Sequence, residues 1–126
     1  MRPGPRLAAS AAAAAALALV PVAAMAQERS PAERQSLVDL ARVLGESHAL
    51  RQACEGPQDQ SWRSRMQQLL GVEAADQGLK TRISVAFNAG YGSGRSLFPN
   101  CTDAARAEAR RIASDGQRLS MKLAGP

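Results

Sequence analysis

From Ser30 onward the chain alternates polar and apolar positions with the period of a helix. Leu37, Leu40, Leu44, Ser47 and Cys54 recur at spacings close to 3.6, flanked by Val38, Ala41 and Leu50. Arg34, Arg42, Glu46 and Gln52 fall on the other face, with Arg42 and Glu46 one turn apart. Ser30-Pro31-Ala32-Glu33 reads as a helix start: the serine hydroxyl accepts from the Glu33 amide, Glu33 reaches back to Ser30, and Pro31 takes the first helical position. Gly56-Pro57 ends this first helix near Glu55, so Cys54 lies in its last turn.

Three further helices follow. Trp62, Met66, Leu69, Leu70 and Glu73 form one stripe, capped by Asp59 or Ser61 and weakened by Gly71, and Trp62 is expected in the core. Asp76 caps a third helix that buries Leu79, Ile83, Ala86, Phe87 and Gly90. Gly92 and Gly94 are expected to terminate it, and Pro99 forces Phe98 into an extended conformation, which makes 92–100 a loop. Thr102 caps the fourth, where Ala105, Ala109, Ile112, Gly116, Leu119 and Leu123 recur at helical steps, small enough in part to admit a close neighbour. No strand-like alternation competes. The pattern predicts an all-α, four-helix domain.

Before Ser30 the chain looks like a leader. Arg2 and Arg6 precede an uncharged, alanine-rich run from Leu7 to Val20, then Pro21, then the small-x-small pattern Ala24-Met25-Ala26. The run is too short and too alanine-rich for a spanning helix. Cleavage after Ala26 divides the chain into a signal peptide, 1–26, and a single helical domain, 27–126, with no membrane span left behind. The mature part keeps a formal charge of +3 out of the full chain's +5. So small an excess, spread along the chain, does not suggest nucleic acid. The expected location is periplasmic or secreted.

Export changes the reading of the two cysteines, because an oxidising compartment favours disulfides. The simplest arrangement is one intramolecular bond, Cys54–Cys101, which would tie the end of the first helix to the start of the fourth. Two free thiols or a bond to a partner chain are the alternatives. The intramolecular bond closes a loop of about 48 residues, for which chain entropy gives roughly 4 kcal/mol.

Several stretches carry a resemblance: Leu40-Ala41 to Gly45, His48, Leu50-Arg51 to Cys54, Trp62-Arg63, Met66, Leu69-Leu70, Glu73, Arg82, Ala86-Phe87-Asn88, Gly90-Tyr91, Cys101-Thr102 and Ala104-Ala105. Together they resemble an uncharacterised family of small exported proteobacterial proteins, a domain of unknown function with two cysteines and a Phe-Asn-x-Gly-Tyr motif. The resemblance implies a signal-bearing helical domain and supplies no activity. After the Gly-Tyr, members continue with polar and aromatic residues, where this chain has Gly92-Ser93-Gly94 and Pro99.

Candidate chemistry is sparse. His48 is the only histidine and lies about 240° around the helix from Cys54, so the two form no nucleophile–base pair, and a lone helical histidine is usually a packing residue. Metal-ligand spacing is missing, and Gly90-Tyr91-Gly92-Ser93-Gly94 follows a helix rather than a strand, unlike a phosphate-binding loop. No metal, cofactor or catalytic residue is therefore assigned. Asn88 and Tyr91 suit a structural polar contact, with Asn88 bonding a neighbouring helix or loop. Alternatively, they form a ligand- or partner-contacting set with Arg95 and His48. The arginines of the fourth helix are interleaved with Glu108 and Asp115, as on a solvated face.

The expected role is a non-enzymatic binding or scaffolding component of the cell envelope. Its partner would be an envelope protein or an anionic envelope polymer, met through the 88–100 region and the exposed part of the fourth helix. The alternative is a small hydrolase acting on envelope polymer, which requires Glu73, His48, Asn88 and Tyr91 to converge.

Overall fold

The computed structural model describes residues 2–5 and 29–125. The leader expected over 1–26 therefore lies almost wholly outside the described residues. Four helices follow in order: α1 (Pro31–Glu55), α2 (Ser61–Val72), α3 (Gln77–Leu97) and α4 (Asp103–Ala124). The all-α, four-helix reading is the fold observed.

Local chemistry sets most of the helix starts where the sequence placed them. Ser30 Oγ accepts from the Glu33 amide at 3.2 Å, Asp76 Oδ1 from Leu79 at 2.8 Å, and Thr102 Oγ1 from Ala105 at 3.0 Å. Each satisfies a backbone donor that the helix itself leaves unpaired. Gly56, at φ +106°, turns the chain out of α1 while its amide donates to the Gln52 carbonyl. The start of α2 differs from expectation. Gln60 is the capping position and makes no side-chain bond there, while Asp59, one residue earlier, accepts from the Ser61 amide at 3.0 Å.

α1 is the axis of the molecule. The other three helices pack on it and scarcely on one another. Enclosed in this way, the middle of α1 is buried on more than one face, from Ser36 to Leu50. Leu37, Leu40, Ala41 and Leu44 meet Met66 of α2, Leu79, Ile83 and Phe87 of α3, and Leu123 of α4. A smaller cluster of Leu50, Ala105 and Ile112 sits under the first half of α4. Beside it, Cys54 and Cys101 form the expected disulfide, Cα–Cα 4.7 Å, fastening the end of α1 to the entry of α4.

Two expectations are corrected. α3 does not stop at Gly92 or Gly94 but runs to Leu97, so the connection to α4 shrinks to the residues between them. Gly94 is buried, and a Cβ there would lie 2.8 Å from the Ala49 methyl. Glycine at this position serves contact between helices, and that contact holds the helix together past the point where conformational freedom alone would have released it. The same holds upstream. A Cβ on Gly45 would lie 2.0 Å from the Phe87 carbonyl oxygen, and one on Gly90 2.1 Å from that of Arg42. α1 and α3 therefore cross backbone to backbone at Gly45, Gly90 and Gly94. The close approach expected of α4 is looser, with a Cβ on Gly116 3.2 Å from Val43 Cγ1.

Trp62 is the second correction. It is half-buried at the edge of the core rather than within it, with the Arg65 guanidinium 4.8 Å over its ring. Among the described residues no other element fills the space beyond it.

Candidate functional site

Around Tyr91 the structure builds a polar knot. The Tyr91 hydroxyl donates to Gln52 Oε1 at 2.7 Å, and the Gln52 amide donates to the Pro57 and Asp59 carbonyls, 3.1 Å each. Gln52 thus ties α1, the loop after it and α3 together. Periodicity had assigned it to a solvated face, and its nearness to the Gly56-Pro57 turn was the signal of this role. Arg51 pairs with Asp59 at 2.8 Å, and that guanidinium, with the Ser61 amide, holds the Asp59 carboxyl below the usual range. Arg95 stands on α3, not in a loop, with its guanidinium 5.7 Å over the Tyr91 ring. Gln52, Pro57, Tyr91, Arg95, Phe98 and Pro99 border a small cleft of about 190 Å³.

His48 lies beneath this knot, only 2 % exposed, with its ring 5.1 Å from that of Tyr91 and 5.7 Å from that of Phe87. Its Nδ1 is buried without a hydrogen-bond partner. Burial, and then the charge of Arg63, push its pKa below the ordinary 6.5, while Asp59 opposes the shift. Between that lowered value and 6.5 the unfolded chain binds a proton that the folded chain refuses. Stability is therefore fully present above 6.5 and falls as pH drops beneath it. Urea midpoints should decline from pH 7.5 to pH 5.5, and His48→Gln should flatten that decline. An unchanged slope in the variant would refute the assignment. The exposed carboxylates act lower: Asp76, capping α3 and paired with Arg34, is drawn down to about 2, so its contribution disappears only between about 3.8 and 2.

The four residues needed for hydrolysis do not converge. Glu73 is taken up by Arg29, which contacts both its carboxylate oxygens at 2.9 Å and also donates to Glu33 and to the Leu123 carbonyl. This anchor sits at the start of α1; Glu33 and His48 are separated by about 22 Å of helix. Asn88 is exposed on the outer side of α3, not turned toward a neighbouring helix, because α1 occupies only the face bearing Phe87, Gly90 and Gly94. Only His48 and Tyr91 meet. Among the described residues no group of three or more His, Cys, Asp or Glu could hold a metal ion.

The larger opening lies elsewhere, where α2 and α4 part over α1. Leu40, Val43, Leu44, Trp62, Leu69 and Ile112 line an apolar furrow of about 420 Å³. At Trp62 and Ser47 it continues toward the disulfide as a further 370 Å³, bordered by Arg51, Glu55, Arg106 and Arg110. In the wall supplied by α4 the small side chains Ala109, Ala113, Gly116 and Ser120 stand alongside Ile112 and Gln117, and they leave room for the furrow. Sequence reading missed it, although the small residues of α4 and a tryptophan at the start of α2 were its visible signs.

The comparison with protein families is decisive for kinship. The pattern of a family described as "Protein of unknown function (DUF2385)" matches residues 31–125, from the first residue of α1 to just past the end of α4. The chain belongs to that family. Membership brings no activity with it. No curated protein and no solved structure matches the chain. Among the described residues no helix is long and apolar enough to cross a membrane.

Proposed function

We propose that this member of the family is an exported, non-catalytic binding component of the cell envelope, made as a signal peptide over 1–26 and a helical domain over 27–126. The observation that carries the binding role is the furrow between α2 and α4. It is a largely apolar surface that the described residues leave uncovered, with arginines gathered at its disulfide end. Such a surface suits a partner that is apolar along its length and anionic at one point. Of the envelope protein and the anionic envelope polymer suggested by the sequence, the arginines favour an anionic component. The Cys54–Cys101 bond supports export, since structural disulfides persist in oxidising compartments.

Fractionation of cells making the tagged full chain tests the location. A mature form beginning at Gln27, with no free thiol, is expected outside the cytoplasm, and an uncleaved cytoplasmic chain would overturn export. Photo-cross-linking tests the surface. A reactive group at Ala113, in the furrow, should give an envelope adduct and one at Asn88 should not, whereas the reverse pattern would move the contact away from the furrow.

A further inference from the structure

The furrow separates its chemistry by end rather than by side. Its floor from Trp62 past Leu44 to Leu69 is apolar, with Arg65 the one charged side chain along it, its guanidinium over the Trp62 ring, and the other charged side chains gather beyond Trp62, toward the disulfide. An amphipathic helix would require the opposite arrangement, with one apolar face and one polar face along its whole length. A molecule with one charged head and one apolar tail fits end-to-end separation. Three guanidiniums face this charged end. Arg51 is held by Asp59, and Arg106 leans toward Asp103 at 3.4 Å. Arg110 makes no ion pair among the described residues, although Glu55 borders the same space. From Arg110 to Ser120 along α4 is about 15 Å, the reach of a medium-length acyl chain.

We propose that the furrow binds a fatty-acid carboxylate, its head at Arg110 and its tail laid over Leu44 toward Leu69. This rests on the binding role assigned to the furrow and narrows the anionic component to one chemistry. The carboxylate gains a charge-assisted contact at Arg110, strengthened by the low-dielectric surface beside it. The tail removes from water both its own methylenes and the apolar side chains beneath it. Trp62, at the junction of head and tail sections, reports on occupancy because it is the chain's one tryptophan.

Titration of the purified, oxidised mature chain with dodecanoate below its micellar range, followed by Trp62 emission, provides the test. A saturable blue shift with one-to-one stoichiometry is expected. Butanoate, with the head and no tail, should give none, and dodecyltrimethylammonium, with the tail and the opposite charge, should bind at least about tenfold more weakly. Arg110→Ala should weaken dodecanoate by about tenfold, the scale of one charge-assisted contact. Ala113→Phe and Ser120→Phe place a ring in the tail section at exposed positions. Both should abolish the shift while leaving the helical circular dichroism and the melting midpoint unchanged. Silence toward dodecanoate, an equal response to the cationic detergent, or a shift that survives both phenylalanines would overturn the proposal. So would a response confined to anionic phospholipid vesicles or to an acidic amphipathic peptide. Because the titration uses purified protein, an exported chain that ignores dodecanoate refutes this inference alone, and a cytoplasmic chain that binds it refutes export alone.

Discussion

Gly90→Ala is expected to destabilise the domain by about 2–3 kcal/mol, and Gly92→Ala, two residues along the same helix, to stabilise it by up to about 1 kcal/mol. Intrinsic propensity favours alanine at both positions equally. What differs is the surroundings. A Cβ on Gly90 would come within 2.1 Å of the Arg42 carbonyl oxygen and 3.1 Å of the Glu46 nitrogen, whereas one on Gly92 meets nothing within 4 Å. The atoms in the way at Gly90 are main chain of α1, so no rotamer change relieves the clash. α1 and α3 must separate, and Leu37, Ala41, Ile83 and Phe87 lose part of their contact along the crossing. Urea unfolding followed by circular dichroism compares the two variants directly. A Gly90→Ala protein as stable as the parent would mean that α1 and α3 do not approach this closely.

Removal of the Cys54–Cys101 bond should cost about 4 kcal/mol by the loop-entropy estimate. The bond joins residues 47 apart, and a domain of this size is usually stable by only about 5–15 kcal/mol. The double variant Cys54→Ala, Cys101→Ala should therefore melt well below the parent. Reductant should bring the parent down to a similar midpoint and leave the variant unmoved. The first half of α4 is the region most exposed to the loss, because the cluster beneath it holds only Leu50, Ala105 and Ile112 as fully buried members. A parent protein indifferent to reductant would remove the bond from the stability of the fold.

The helices and their caps were legible because they are written locally. Ser30, Asp76 and Thr102 each announce a helix within three residues, and α4 carries its buried positions at regular steps. The disulfide was legible through compartment and count. The end of α3 was not, since Gly92 and Gly94 look alike in sequence and only the position of α1 makes one of them a contact and the other a surface residue. Trp62 was misplaced for a related reason. Hydrophobic size predicts burial, but burial also needs a covering element, and α2 and α4 leave that side open. The turn after α1 signals the bonds of Gln52 to Pro57 and Asp59, but its bond to Tyr91, like those of Arg29 to Glu73 and Leu123, joins residues far apart in sequence, which no local pattern encodes. Of the site residues, Tyr91 was placed in the structural contact expected of it, and Asn88 was not.

The arrangement around a single axis has a dynamic consequence. Among the described residues α2 is the shortest helix; it leans chiefly on α1, with Met66 as its one buried side chain. Its backbone hydrogen bonds are therefore guarded by less than those of α3, which is pressed against α1 along its length. Opening of α2 by itself should cost less than unfolding the domain, and its amides are expected to exchange with solvent through that partial opening ahead of the amides of α1 and α3. Since α2 is also one wall of the furrow and α4, the other, is bolted at its entry, the width of the furrow should follow the least protected cooperative unit of the fold.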